Sequence, residues 1–138
     1  FAVISNTDLR KRFKIAMKGI VPDPPAMGFL LAEEAYRNGE EWRERLLIYL
    51  RSNRDFAFTE ILKIEGLIPY SPQATYLLWI DSRSLNVECP HSFFENAGVG
   101  LSNGSDFDAP GFLRLNLACP RELLELAINR MQRAVLTT

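Results

Sequence analysis

Gly111-Phe112-Leu113-Arg114-Leu115-Asn116-Leu117-Ala118-Cys119-Pro120 alternates with period two. As a strand it places Leu113, Leu115, Leu117 and Cys119 on one face and Phe112, Arg114, Asn116 and Ala118 on the other. A leucine face of this kind is buried against helices, which leaves the arginine face looking onto something else. A guanidinium is permanently charged and grips a carboxylate or phosphate through two parallel hydrogen bonds. Arg114 is therefore the candidate binding residue, with Asn116 as support on the same face. The plainer alternative is an arginine at a strand edge, solvated or paired with a local acid.

Working outward, Pro120 and Glu122 open a last helix whose buried stripe is Leu124, Ala127, Ile128, Met131 and Val135. Upstream, Asp106 to Pro110 reads as a loop, and Gly98 to Gly104 as a short strand running into a turn. A short helix is expected at Pro90–Asn96. Thr75 to Asp81 is apolar on both faces, the pattern of a central strand, and Leu67 to Tyr70 forms a brief strand before it. A long helix runs from Glu40 to Glu65, about 37 Å, with Trp42, Leu46, Tyr49, Leu50, Asn53, Phe56 and Ile61 on one face, and Gly66 stops it. Helices of that length often bridge two bodies.

The first third is separate in character. Phe1–Ser5 reads as a strand, Asn6 or Thr7 caps a basic helix, and Val21-Pro22-Asp23-Pro24-Pro25 breaks the chain as a hinge. A helix follows over Ala26–Asn38, with Met27, Leu30, Leu31 and Ala35 as its stripe and Asn38-Gly39 as a left-handed cap. The order of elements predicts an α+β fold: a small mixed sheet with helices on one face, plus the long helix.

A chain of 138 residues is enough for one ordinary domain. A net charge of -1 removes the electrostatic case for nucleic acid, and no apolar run reaches the roughly 20 residues of a membrane helix. Two cysteines make no disulfide framework, which favours a cytoplasmic setting. Cys89, His91 and Cys119 match no zinc spacing, and His91, the sole histidine, has no nucleophile elbow beside it. Gly98-Val99-Gly100 with Gly104 lacks the spacing and lysine of a phosphate loop. The residues support no catalysis by this chain alone.

Three motifs then occur in order: Tyr36-x-x-Gly39-x-x-Trp42 followed by Tyr49-Leu50-x-x-Asn53-Arg54; Pro72-x-Ala74-Thr75-Tyr76-Leu77-x-Trp79-x-Asp81; and Ala97-Gly98-Val99-x-Leu101-x-x-Gly104 with Arg114-x-Asn116-x-Ala118-Cys119-Pro120. Together, over Thr7 to Arg133, they resemble the C-terminal part of class I/II aminotransferase-like enzymes of fold type I. The nearest branch is the cystathionine β-lyase-type C–S lyases, which depend on pyridoxal 5'-phosphate. The resemblance implies that Arg114 holds the α-carboxylate of an amino-acid substrate.

It implies further that residues 1–25 are the tail of a large cofactor domain, 26–65 a helical interdomain segment and 66–138 the small C-terminal domain. The cofactor lysine, its pyridine-nitrogen aspartate and the ring-stacking aromatic would lie upstream of Phe1; Lys11, Lys14, Lys18 and Lys63 lack that lysine's context. The resemblance thus implies a homodimeric parent that binds the cofactor, and a fragment that binds none and has no catalytic residue of its own. The strand at Phe1–Ile4 would lack its neighbours and be disordered, re-docked or paired with another copy. Two departures from the branch are Pro24-Pro25-Ala26 and Asp108, where glycine is frequent. The expected reaction is β-elimination to a thiol, pyruvate and ammonia. Transamination is the alternative, and the other classes are a stand-alone carboxylate-binding module and a truncated product with an interaction role.

Overall fold

The computed structural model describes residues 2–137. Two compact units divide the chain, one ending at Trp42 and one beginning at Arg43.

The first unit carries α1 (Thr7–Met17) and α2 (Ala26–Asn38). Asn6 caps α1: its Oδ1 accepts from the N–H groups of Asp8 and Leu9, both at 3.0 Å, satisfying two of the first-turn donors. The expected strand at Phe1–Ser5 is not formed. Phe1 lies outside the described residues, and residues 2–5 have no regular structure. A strand is stable only when a neighbour takes its ladder bonds, and no described strand pairs with this one. Instead, Arg10 Nη1 donates to the Ile4 carbonyl at 3.0 Å. The second correction concerns Gly39, which is right-handed (φ -84°, ψ -1°). Proximity selects glycine there, because a Cβ would fall on the Ala35 carbonyl.

The second unit begins within α3 (Glu40–Ile61). At 22 residues α3 is about 33 Å long and ends four residues before Glu65. The chain leaves it through tight turns, Lys63 N–H to Glu60 and Ile64 N–H to Ile61, until Gly66 at φ +82° reverses it. Then follow β1 (Ile68–Tyr70), β2 (Leu77–Asp81), α4 (Pro90–Asn96), β3 (Ser102–Asn103), a 3-10 turn (Gly104–Phe107), β4 (Phe112–Asn116) and α5 (Arg121–Leu136). The strands form one sheet in the order β1-β2-β4-β3. Every pairing is antiparallel, where a mixed sheet was expected.

Register explains the layering. Leu78 faces Leu115 and Ile80 faces Leu113, so one face of the two central strands is continuous hydrocarbon. Against it pack Ala57 and Ile61 of α3, Phe94 of α4, and Leu124, Ile128 and Met131 of α5, in a single core with Leu117. Burial of each large apolar side chain contributes about 1.5–3 kcal/mol, so this one face accounts for most of the unit's cohesion. The leucine face of the opening stretch is thus core, and the α+β reading holds. Both outer strands are short: β1 has three residues, including Pro69, and β3 has two.

Candidate functional site

Because alternate residues of β4 point oppositely, burial of Leu113 and Leu115 puts Phe112, Arg114 and Asn116 on the open face. Trp79 and Asp81 of β2 share that face, Trp79 opposite Arg114 and Asp81 opposite Phe112. Ser102 of β3 flanks Arg114 on the other side. Arg114 therefore sits in an interior strand, not at a sheet edge.

Its partners are neutral. Nη2 donates to Ser102 Oγ at 3.2 Å, and Cζ lies 4.2 Å from the centre of the Phe107 ring, a stacking distance for a cation on an aromatic face. Nε is buried and has no hydrogen-bond partner. Among the described residues no carboxylate pairs with Arg114. A half-buried guanidinium without a counter-ion is uncommon, since desolvation without compensation is costly.

The other arginine on this face is the contrast. Arg83 Nε and Nη2 meet Asp81 Oδ1 and Oδ2 at 2.9 and 2.7 Å, a two-pronged pair, while its Cζ lies 4.9 Å from the Phe112 ring centre. The Arg83 hydrogen bond holds the Asp81 carboxyl below the usual aspartate range, against burial, which raises it. Between the two arginines runs an aromatic row. Phe112 is edge-on to Trp79 at 6.1 Å, and Trp79 edge-on to Phe107 at 5.8 Å.

Asn116 does not reach Arg114. Its Oδ1 accepts from Ala118 N–H at 2.8 Å and turns the chain out of β4. That exit is fastened to α3. Asn53 Nδ2 donates to the carbonyls of Leu117 and Cys119 at 2.9 and 3.0 Å, and the Tyr49 hydroxyl reaches Cys119 O at 3.1 Å. Arg121, at the start of α5, donates to Ser52 Oγ at 2.7 Å and covers the Phe56 ring.

The remaining candidates are not drawn to this face. His91 Nε2 lies 3.1 Å from the Leu101 carbonyl oxygen. Cys89 is exposed, with its thiol pKa lowered by the Ser92 hydroxyl, whereas burial pushes the Cys119 thiol up. Among the described residues no three metal-ligating side chains cluster. Gly98 lends its carbonyl to Arg130 Nη1 at 2.9 Å, so the glycine run is a helix latch. Lys63 pairs with Glu60 at 2.6 Å. Sequence reasoning passed over Ser102 and Phe107, which only the register and the turn bring to Arg114.

The sequence profile of the family described as aminotransferase class I and II matches residues 2–131. This chain belongs to that family. It is 38% identical over 110 residues to cystathionine beta-lyase of Corynebacterium glutamicum, a match covering 76% of this chain and 29% of that protein. Among solved structures, OvoB superposes with a TM-score of 0.94 at 43% identity, over 99% of this chain and 36% of the other. The pyridoxal phosphate-bound C–S lyase of Staphylococcus hominis gives 0.81 at 26% identity, over 97% and 37%. The chain spans about a third of the length of these relatives. The resemblance seen in the motifs of this family member is therefore shown, together with its fold type.

The open face around Arg114 is arginine, serine and aromatic, with no lysine among the contacts of Arg114. The donor set suits a carboxylate.

Proposed function

We propose that this chain provides the substrate-carboxylate site of a pyridoxal phosphate-dependent C–S β-lyase, the cofactor being held by a large domain of the same polypeptide. Residues 1–25 would close that domain, 26–65 would link the two and 66–138 would be the small domain. The observation that carries the reading is the uncompensated charge of Arg114 on the open sheet face, where the other arginine, Arg83, is already neutralised by Asp81. An incoming α-carboxylate is the missing acid, and a two-pronged contact would fix its plane as well as its position. Orientation of this kind contributes heavily to rate because it sets the direction of the Cα–H bond before reaction. When bound, the cofactor supplies the electron sink at the α-carbon. This chain's part is to bind, to orient and to hold the clamp strand rigid through Asn53 and Tyr49.

Arg114→Ala in the complete polypeptide is expected to weaken L-cystathionine binding on the order of a hundredfold while leaving pyridoxal phosphate affinity unchanged. Equal loss of both would overturn the reading. The second reading, transamination, is favoured by the family to which the chain belongs. Product analysis separates them: the lyase releases pyruvate and ammonia, and the aminotransferase passes the amino group to a 2-oxo acid.

A further inference from the structure

Arg114 is gripped on two sides by groups that carry no charge. Ser102 Oγ accepts from Nη2 and the Phe107 ring covers the guanidinium face, while Nε is shut off from water. Of five N–H donors, this leaves the two of Nη1 and the second of Nη2 without a partner among the described residues. Those form the end-on edge of the fork, so a carboxylate would meet the two terminal nitrogens and not the Nε side.

The connection from β3 to β4 is longer than strand pairing requires. Eight residues, 104 to 111, join antiparallel neighbours that a two-residue turn could join. Their course is tightly determined. Asn103 Oδ1 accepts from Ser105 N–H at 3.1 Å and starts the 3-10 turn. A Cβ on Gly104 would fall on the carbonyls of Ala109 and Phe112. Asp108 takes a left-handed conformation (φ 56°, ψ 25°) to return the chain, its N–H donating to Gly104 O. The product of this winding is a half-exposed phenylalanine, 45% accessible, laid over Arg114 and braced edge-on by Trp79. Core formation does not explain it, because Phe107 stands on the sheet face away from the core.

We infer that Phe107 and Ser102 are positioning residues for Arg114, fixing the guanidinium plane without neutralising it. This rests on the carboxylate reading of Arg114. An acidic neighbour would hold the plane equally well, but it would occupy the donors that a substrate needs, as Asp81 occupies those of Arg83. A ring and a hydroxyl restrict the rotamers while the charge stays available.

The test is a titration of the 138-residue chain, labelled with 15N-arginine, with sodium acetate at constant ionic strength, following the Arg114 side-chain signals. Wild type is expected to show an acetate-dependent shift that saturates. Phe107→Leu should raise the apparent dissociation constant on the order of tenfold, and Ser102→Ala by a smaller factor. Phe107→Tyr, which restores the ring, should return it to near wild type. The Nε–Hε proton should lose its ring-current shift and exchange faster in Phe107→Leu only, with the backbone amide spectrum outside residues 102–116 retained. If acetate shifts Arg114 equally in wild type, Phe107→Leu and Ser102→Ala, the positioning inference is overturned and the carboxylate reading stands. If acetate leaves Arg114 unmoved in wild type, both fall.

Discussion

The Asn53 side-chain amide donates to the Leu117 carbonyl across 2.9 Å, joining the middle of α3 to the residue immediately past β4. The same nitrogen also serves Cys119 O, and Asn53 is fully buried. Sequence position 53 lies on the face of α3 that otherwise carries Ala57 and Ile61 into the core. A polar residue survives there because it satisfies two carbonyls that the strand can no longer pair.

Asn53→Leu should therefore lower unfolding free energy by about 1–3 kcal/mol, since the Leu117 carbonyl is left unsatisfied in the core while Cys119 O keeps only the Tyr49 hydroxyl. Asn53→Asp should cost more, because a carboxylate would face two carbonyl oxygens. Urea denaturation of the three chains checks both. A loss under 1 kcal/mol for Asn53→Leu would show that water replaces the amide.

Acid sensitivity should trace in part to Asp81. Its folded-state pKa lies below the ordinary value because of the Arg83 hydrogen bond. A depressed carboxyl contributes stability that is complete above the unfolded pKa, about 3.9, and that is lost as pH falls through the folded one. Unfolding free energy should fall below about pH 4, and Asp81→Asn should reduce that slope while lowering stability at pH 7. An unchanged slope in the variant would assign the effect to other carboxylates.

Thr75 occupies φ 70°, a left-handed conformation that β-branched residues resist. Its hydroxyl recovers a little by accepting from Leu77 N–H at 3.3 Å. Thr75→Gly should raise stability by roughly 0.5–1 kcal/mol, read from the thermal midpoint. A decrease would mean that the hydroxyl contact outweighs the backbone strain.

Much of this structure is legible in the sequence wherever burial follows a simple period. Leu113, Leu115 and Leu117 announce the core face of β4, and the bounds of α2 and α4 follow from prolines and a glycine. The unit's sheet is legible for the same reason, whereas its strand directions are not, because the loops on either side of α4 and the turn before β4 follow courses that no period encodes. The residue pattern carries α3 too far, since Leu62 to Glu65 continue it while the backbone tightens before Gly66. Gly39 after Asn38 has the pattern of a left-handed cap, yet its role is close approach to Ala35. Ser102 and Phe107 lie 12 and 7 residues from Arg114, and only strand register and the left-handed Asp108 bring them beside it. The signal in the sequence is Asp108 itself, aspartate being one of the few non-glycine residues that readily take a left-handed conformation.

The dimensions of the outer strands have a consequence for behaviour in concentrated solution. Sheets recruit further copies through free edges, and each recruitment needs a run of donors and acceptors in register. Three residues interrupted by Pro69 on one side, and two residues that turn at once into a 3-10 helix on the other, present no such run. The sheet that displays Arg114 is thus closed to growth by strand addition, and it can leave one face bare without becoming a template for fibres.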